Sequence, residues 1–157
     1  MDIRAKLAEL GLALPPPPSA VADYVPAKVV GDSVLVSGML PMRAGELIAA
    51  GRAPGDVSIE AAQGAARQCV LNGLAAVDPV IDGDWSRVAG VSRVGVFVAS
   101  EPGFHEQHKV ANGASGLLRE VFGDAGRHVR AAVGVTALPL GAVVEVELAF
   151  AVRAGTG

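Results

Sequence analysis

Near the C-terminus, Arg130 lies within the segment VRAAVGV, and two glutamates, Glu145 and Glu147, alternate with apolar residues in VVEVEL. A planar guanidinium accepts a carboxylate through two parallel hydrogen bonds. A carboxylate one water away from an electrophilic carbon can act as a general base. Strand alternation puts Val129, Ala131, Val133 and Val135 on one face, and Val144, Val146, Leu148, Phe150 and Val152 on one face of the next strand. Arg130, Glu145 and Glu147 then point away from the core. A tight turn at Leu138 and Pro139 sets Arg130 opposite Glu147 and diagonal to Glu145, at roughly 7–8 Å between α-carbons. Spacing alone also describes an ordinary cross-strand ion pair worth under about 1 kcal/mol, which is the commoner arrangement. The small residues Ala132, Gly134, Ala149 and Ala151 on this outer face suit contact with another subunit. An arginine buried there needs a carboxylate or a ligand as its partner. Arg153 reads as a solvated end residue.

The remaining reactive side chains narrow the chemistry. His105 and His108 stand at i, i+3 and could share a metal, but no third Cys or His is spaced with them, so a solvent-facing or capping role is expected and no metal. His128 precedes Arg130 by two residues on the same strand face and reads as a pocket wall. Ser37 lacks a G-x-S-x-G setting, and GRAPGD does not form a phosphate-binding fingerprint. Cys69 is the only cysteine; it forms no intrachain disulfide, and Val70 and Leu71 beside it suit a buried thiol. A cytoplasmic protein is expected. With a net charge of −3, no Lys/Arg cluster and six aromatic residues, the chain lacks the electrostatic and stacking surface of a nucleic-acid binder. No apolar run approaches the roughly 20 residues of a membrane span, and MDIRAKLAEL carries no export signal.

These residues must be held by a fold, and 157 residues suit one domain. Ile3, Leu7, Leu10 and Leu12 predict an N-terminal helix, ended by the prolines at 15–18, which form an extended strap; helix and strap together make up residues 1–20. A hairpin is expected at about Val25–Val30 and Ser33–Ser37, turning at Gly31 and Asp32. The segment after Pro41, broken by Gly45, Gly51, Pro54 and Gly55, reads as a loop. Ile59, Ala62, Ala66, Cys69, Val70 and Leu74 predict a helix from the cap Ser58 to about Val77, stopped by Asp78, Pro79 and Gly83. Val94, Val96 and Val98 predict a strand ending near Ser100. Val110, Ala114, Leu117, Leu118 and Val121 predict a second amphipathic helix ending at Gly123. The order ββ, α, β, α, ββ is that of an α+β domain, in which two helices cover one face of a single mixed, mainly antiparallel sheet.

The stretch from Arg130 to Pro139, with Val-Glu-Val-Glu at 144–147, resembles the C-terminal signature of the reactive-intermediate deaminase (Rid, or YjgF-like) family. Tyr24, Val36-Ser37-Gly38 with Leu40-Pro41, and Asn112 match in family order, so the resemblance spans about residues 20–153. It implies a chorismate mutase-like fold over 21–153 and a homotrimer with sites in clefts between chains. It further implies cofactor-free hydrolysis of reactive 2-imino or enamine acids to 2-keto acids and ammonia. By position, Arg130 would hold the substrate carboxylate and Glu145 would activate water, with Tyr24, Ser37, Gly38 and Asn112 lining the pocket. The founding members carry Cys where this chain has Ala132. Extra residues around Gly113–Leu118 and the long strap resemble a longer subgroup. A non-catalytic small-carboxylate binder using the same cleft is the alternative reading, and the family's older labels, translation inhibitor and endoribonuclease, fit this composition poorly.

Overall fold

The computed structural model describes residues 2–19 and 23–153. Helix α1 (Ile3–Glu9) starts at Asp2, whose carboxylate accepts from the backbone N–H groups of Arg4 and Ala5 at 3.0 and 3.1 Å. Ile3 and Leu7 bury completely in the common core. The proline strap has no regular secondary structure, and the boundary that the sequence puts at residues 20 and 21 lies outside the described residues.

Strands β1 (Ala27–Val30) and β2 (Ser33–Met39) form the expected hairpin. The segment after Pro41 is not a plain loop: β3 (Met42–Arg43) and β4 (Glu46–Leu47) pair around Ala44 and Gly45, both at positive φ. Two successive positive φ values make the turn that matches the twist of a short hairpin, and Gly45 adopts one of them freely. Helix α2 (Ile59–Val80) holds this segment. Asn72 donates to the carbonyls of Leu40 and Met42 at 2.9 and 3.0 Å and accepts from Gln68, which in turn accepts from Arg43. Gln68 and Asn72 are the buried polar residues of the core, and these partners satisfy them.

Ser58 caps α2 as expected, accepting from the N–H of Ala61 at 3.1 Å. The helix runs through Pro79, one turn beyond the predicted end. Pro79 falls in the last turn, where Ile81 and Gly83 donate to the carbonyls of Val77 and Asp78 and close the end. Asp78 does not break the helix. Its carboxylate receives both bonds from Arg4 Nη2, at 2.7 and 2.8 Å, and one from Trp85 Nε1 at 2.7 Å, tying α1 and the following turn to α2.

Strand β5 (Val88–Ala99), helix α3 (Gln107–Phe122), β6 (Val129–Val135) and β7 (Val144–Val152) complete the chain. The sheet order is β1-β2-β7-β5-β6, antiparallel throughout except for the parallel pair β5–β6. The helices cover one face, where Val94, Val96, Val98, Val146, Leu148 and Phe150 are buried. Gly113 lets α3 close on α2, because a β-carbon there would strike the backbone carbonyl of Gln63. Phe150 sits at the centre, fully buried and 6.0 Å from the Phe122 ring, which is 6.2 Å from Trp85. Phe150→Ala is expected to cost about 3–5 kcal/mol, read as a lowered denaturant midpoint with an unchanged slope.

The hairpin expected from the last two strands is overturned. β6 and β7 are not paired with each other, because β5 lies between them. A strand–helix–strand run forms a parallel crossover unit, and β5–α3–β6 does so here, while the doubly alternating β7 takes the other edge of β5. The faces of β6 are also inverted. Val94 aligns with Arg130, so Arg130, Ala132 and Gly134 face the helices, while Val129 and Val133 look out from the open face at 69% and 46% exposure.

Candidate functional site

Arg130 lies on the edge strand and reaches α3. Its Nη1 donates to Asn112 Oδ1 and Ser115 Oγ, both at 3.0 Å, and its Nη2 donates to the His108 carbonyl at 3.4 Å. Asn112 and Ser115 are three residues apart on the helix, so one face presents both. His128 Nδ1 lies 2.7 Å from the carbonyl of Gly126 and Nε2 lies 2.9 Å from Ser115 Oγ. A carbonyl only accepts, so Nδ1 carries the proton. In the tautomer with Nε2 unprotonated, the ring accepts from the Ser115 hydroxyl, which keeps its lone pairs for Arg130. Both ring nitrogens are committed to the protein, so His128 buttresses Ser115 and thereby Arg130. Arg119 and Arg127 join Ser115, His128 and Arg130 in lining a cavity of about 290 Å³. Sequence reasoning missed Ser115, Arg119 and Arg127. The signal was there in the helical spacing of 112, 115 and 119.

A second group lies on the open face. Between Val36, which pairs with Leu148, and Met39, which pairs with Val146, Ser37 and Gly38 stand against the single residue Glu147. This is a β-bulge, a feature that re-aims side chains beside functional sites. The Glu145 carboxylate lies directly over Gly38, where any β-carbon would collide with it. Ser37 Oγ donates to the Val25 carbonyl at 2.8 Å, and its N–H donates to Pro26. Tyr24, one residue before Val25, is 47% exposed. Glu145 is half-buried, and burial first, then the neighbouring Glu147 charge, raises its carboxyl above the usual glutamate value.

The two groups do not meet within one chain. Glu145 aligns with Phe97 and Glu147 with Gly95, on the face opposite Val94 and Arg130. The predicted Arg130–Glu147 pairing is replaced by Arg93–Glu147 at 3.5 Å. Arg130 and Glu145 are separated by β5, two strand spacings or about 9–10 Å, as well as by the thickness of the sheet.

Residues 4–152, nearly the whole chain, match the family described as "YjgF/chorismate_mutase-like, putative endoribonuclease". The chain belongs to the YjgF/Rid family. Protein TCP17 of Trypanosoma cruzi is 40% identical over 146 residues, covering 92% of this chain and 91% of that one. The crystal structure of Atu1372 from Agrobacterium tumefaciens, a protein of unknown function, superposes with a TM-score of 0.89 at 42% identity, covering 97% and 92% of the two chains. RidA from the Antarctic bacterium Psychrobacter sp. PAMC 21119 gives 0.60 at 25% identity, covering 87% and 94%. The three helices and mixed sheet are the α+β fold of this family. Among the described residues, no helix is long and apolar enough to cross a membrane.

Proposed function

We propose that this Rid-family protein hydrolyses small reactive 2-imino or enamine acids to 2-keto acids and ammonia, as one subunit of a homotrimer whose sites form between copies. The observation that carries the proposal is the Arg130 guanidinium, fixed by Asn112, Ser115 and the His108 carbonyl at a cavity, with none of these partners negatively charged. Such a group receives the substrate carboxylate. Arg130 and Glu145 lie on opposite faces of one sheet, so a shared site draws one of them from a neighbouring copy. The open edge of β6 and the exposed Leu35 and Val133 on the open face supply surface for that contact.

In this reading Arg130 of one copy pairs with the carboxylate, and Glu145 of the next takes a proton from water as its oxygen adds to the imine carbon. Glu145 returns that proton to the imine nitrogen to give the neutral carbinolamine; it then passes the hydroxyl proton to the same nitrogen as the C–N bond breaks, leaving a ketone and ammonia. The Ser37-Gly38 bulge shapes the pocket around Glu145 and Tyr24 borders it, while Asn112 orients Arg130. No step calls for a cofactor, or for a thiol at Ala132. The net charge of −3 speaks against RNA as the substrate.

The test is semicarbazide-trapped hydrolysis of imino acids generated in situ by a flavin amino-acid oxidase. Faster clearance than in water is expected across several side chains. No acceleration, with binding of pyruvate retained, would make the protein a small-carboxylate binder instead. Light scattering is expected to give three times the 15.8 kDa chain mass; a monomer would overturn the shared site.

A further inference from the structure

We infer that the preferred ligand is a short diacid, with a second carboxylate received by Arg119 and Arg127 beside Arg130. The inference rests on the reading of Arg130 as the anchor of the first carboxylate. The cavity of about 290 Å³ is lined by Ser115, Arg119, Arg127, His128 and Arg130, so three arginines and no acidic residue border one concavity, while Arg119 also borders a second depression with Glu120 and Asp124. Arg130 is held by neutral groups only. Among the described residues, the Arg119 side chain makes no ion pair and no hydrogen bond. Arg127 approaches Asp124 at 3.5 Å, but that carboxylate is 98% exposed, and a pair so solvated neutralises little.

Of the other arginines, Arg4, Arg67, Arg87 and Arg93 stand within ion-pair distance of an aspartate or glutamate, while Arg43 bonds to Gln68 and Arg153 to the Ser86 carbonyl. All three arginines are exposed at the rim of this concavity, and three positive side chains gathered there favour an anion. One carboxylate satisfies one guanidinium bidentately, which leaves Arg119 and Arg127 for another. The volume lies near the low end of roughly 300–1,000 Å³ for ligand sites, which suits a short chain with an acid at each end. Among imines derived from common amino acids, those of aspartate and glutamate fit this description, and those of alanine and leucine do not. Arg119, in the last turn of α3, also favours the helix C-terminus, but that role fixes no direction for its guanidinium.

The experiment compares kcat/KM for imino acids made from aspartate and glutamate with those from alanine and leucine, in the wild type and in the double variant Arg119→Gln/Arg127→Gln. The diacid preference is expected to exceed about tenfold in the wild type and to fall by about tenfold or more in the variant. Hydrolysis of all four without a diacid preference would overturn the inference and leave the deaminase reading intact. If none is hydrolysed, the deaminase reading fails, and calorimetry with 2-oxoglutarate against pyruvate decides this one alone. Tighter binding of 2-oxoglutarate that is lost in the double variant supports it, and equal binding overturns it.

Discussion

Arg130→Ala is expected to lower kcat/KM for imino-acid hydrolysis by about 10²- to 10³-fold, mostly through KM. The interaction that the proposal assigns to Arg130 is charge-assisted and two-pronged, and its side chain is already oriented by Asn112 and Ser115. Arg130→Lys should recover little. An ammonium is a single point charge and cannot bind Asn112, Ser115 and the plane of a carboxylate together. Thermal stability should hardly move in either variant, because Arg130 is an exposed residue of the edge strand and its partners can turn to water. A falling kcat/KM with a constant melting temperature separates a ligand anchor from a structural ion pair. An unchanged KM in Arg130→Ala would remove Arg130 from the site.

The elements were largely legible in the sequence because their apolar periods are strong. The stripe from Ile59 to Leu74 and the alternation from Val144 to Val152 each fix an element and its buried face. The order of the last strands was not legible from alternation, which assigns faces within a strand and says nothing about its neighbours. The pairing of Arg130 with Glu147 followed from treating adjacent segments as a hairpin. The strand–helix–strand order of β5, α3 and β6 carried the better signal. The faces of β6 were misjudged because Val129 and Val133 are more apolar than Arg130, Ala132 and Gly134. The smaller residues lie beneath α3, and the valines face out on the open side. Tyr24, Ser37, Gly38, Asn112, Arg130 and Glu145 are grouped as one candidate set only by the resemblance. Their division between the two faces of the sheet required the strand order.

That division changes what the two acidic residues are for. Glu147 does not neutralise Arg130; it is opposed by the Ser37-Gly38 bulge on one side and contacted by Arg93 on the other. Its charge instead falls on Glu145, which is already half-buried over a glycine that leaves room for nothing else.

Glu145→Gln is therefore expected to cut kcat by about 10²- to 10³-fold, the range for loss of a positioned general base. It should also raise the melting temperature at neutral and alkaline pH. The sign follows from linkage. Burial and Glu147 raise the folded-state carboxyl, so the fold favours the protonated form; that contribution to stability is full below the unfolded value and is lost as pH rises through the folded one. Glutamine cannot ionise, so the variant keeps at high pH what the wild type gives up, and the two should converge in acid. The proposed kinetics run in the opposite direction, because a general base works in its ionised form. Wild-type kcat/KM should fall as pH drops through a value above that of an ordinary glutamate, and Glu147→Gln should move this inflection downward by removing the like charge. Gly38→Ala, which puts a methyl group where the Glu145 carboxylate lies, should lower kcat without a gain in stability at high pH. A Glu145→Gln protein that is less stable at pH 8 than the wild type, or an acid limb that Glu147→Gln leaves in place, would show that Glu145 is a structural residue.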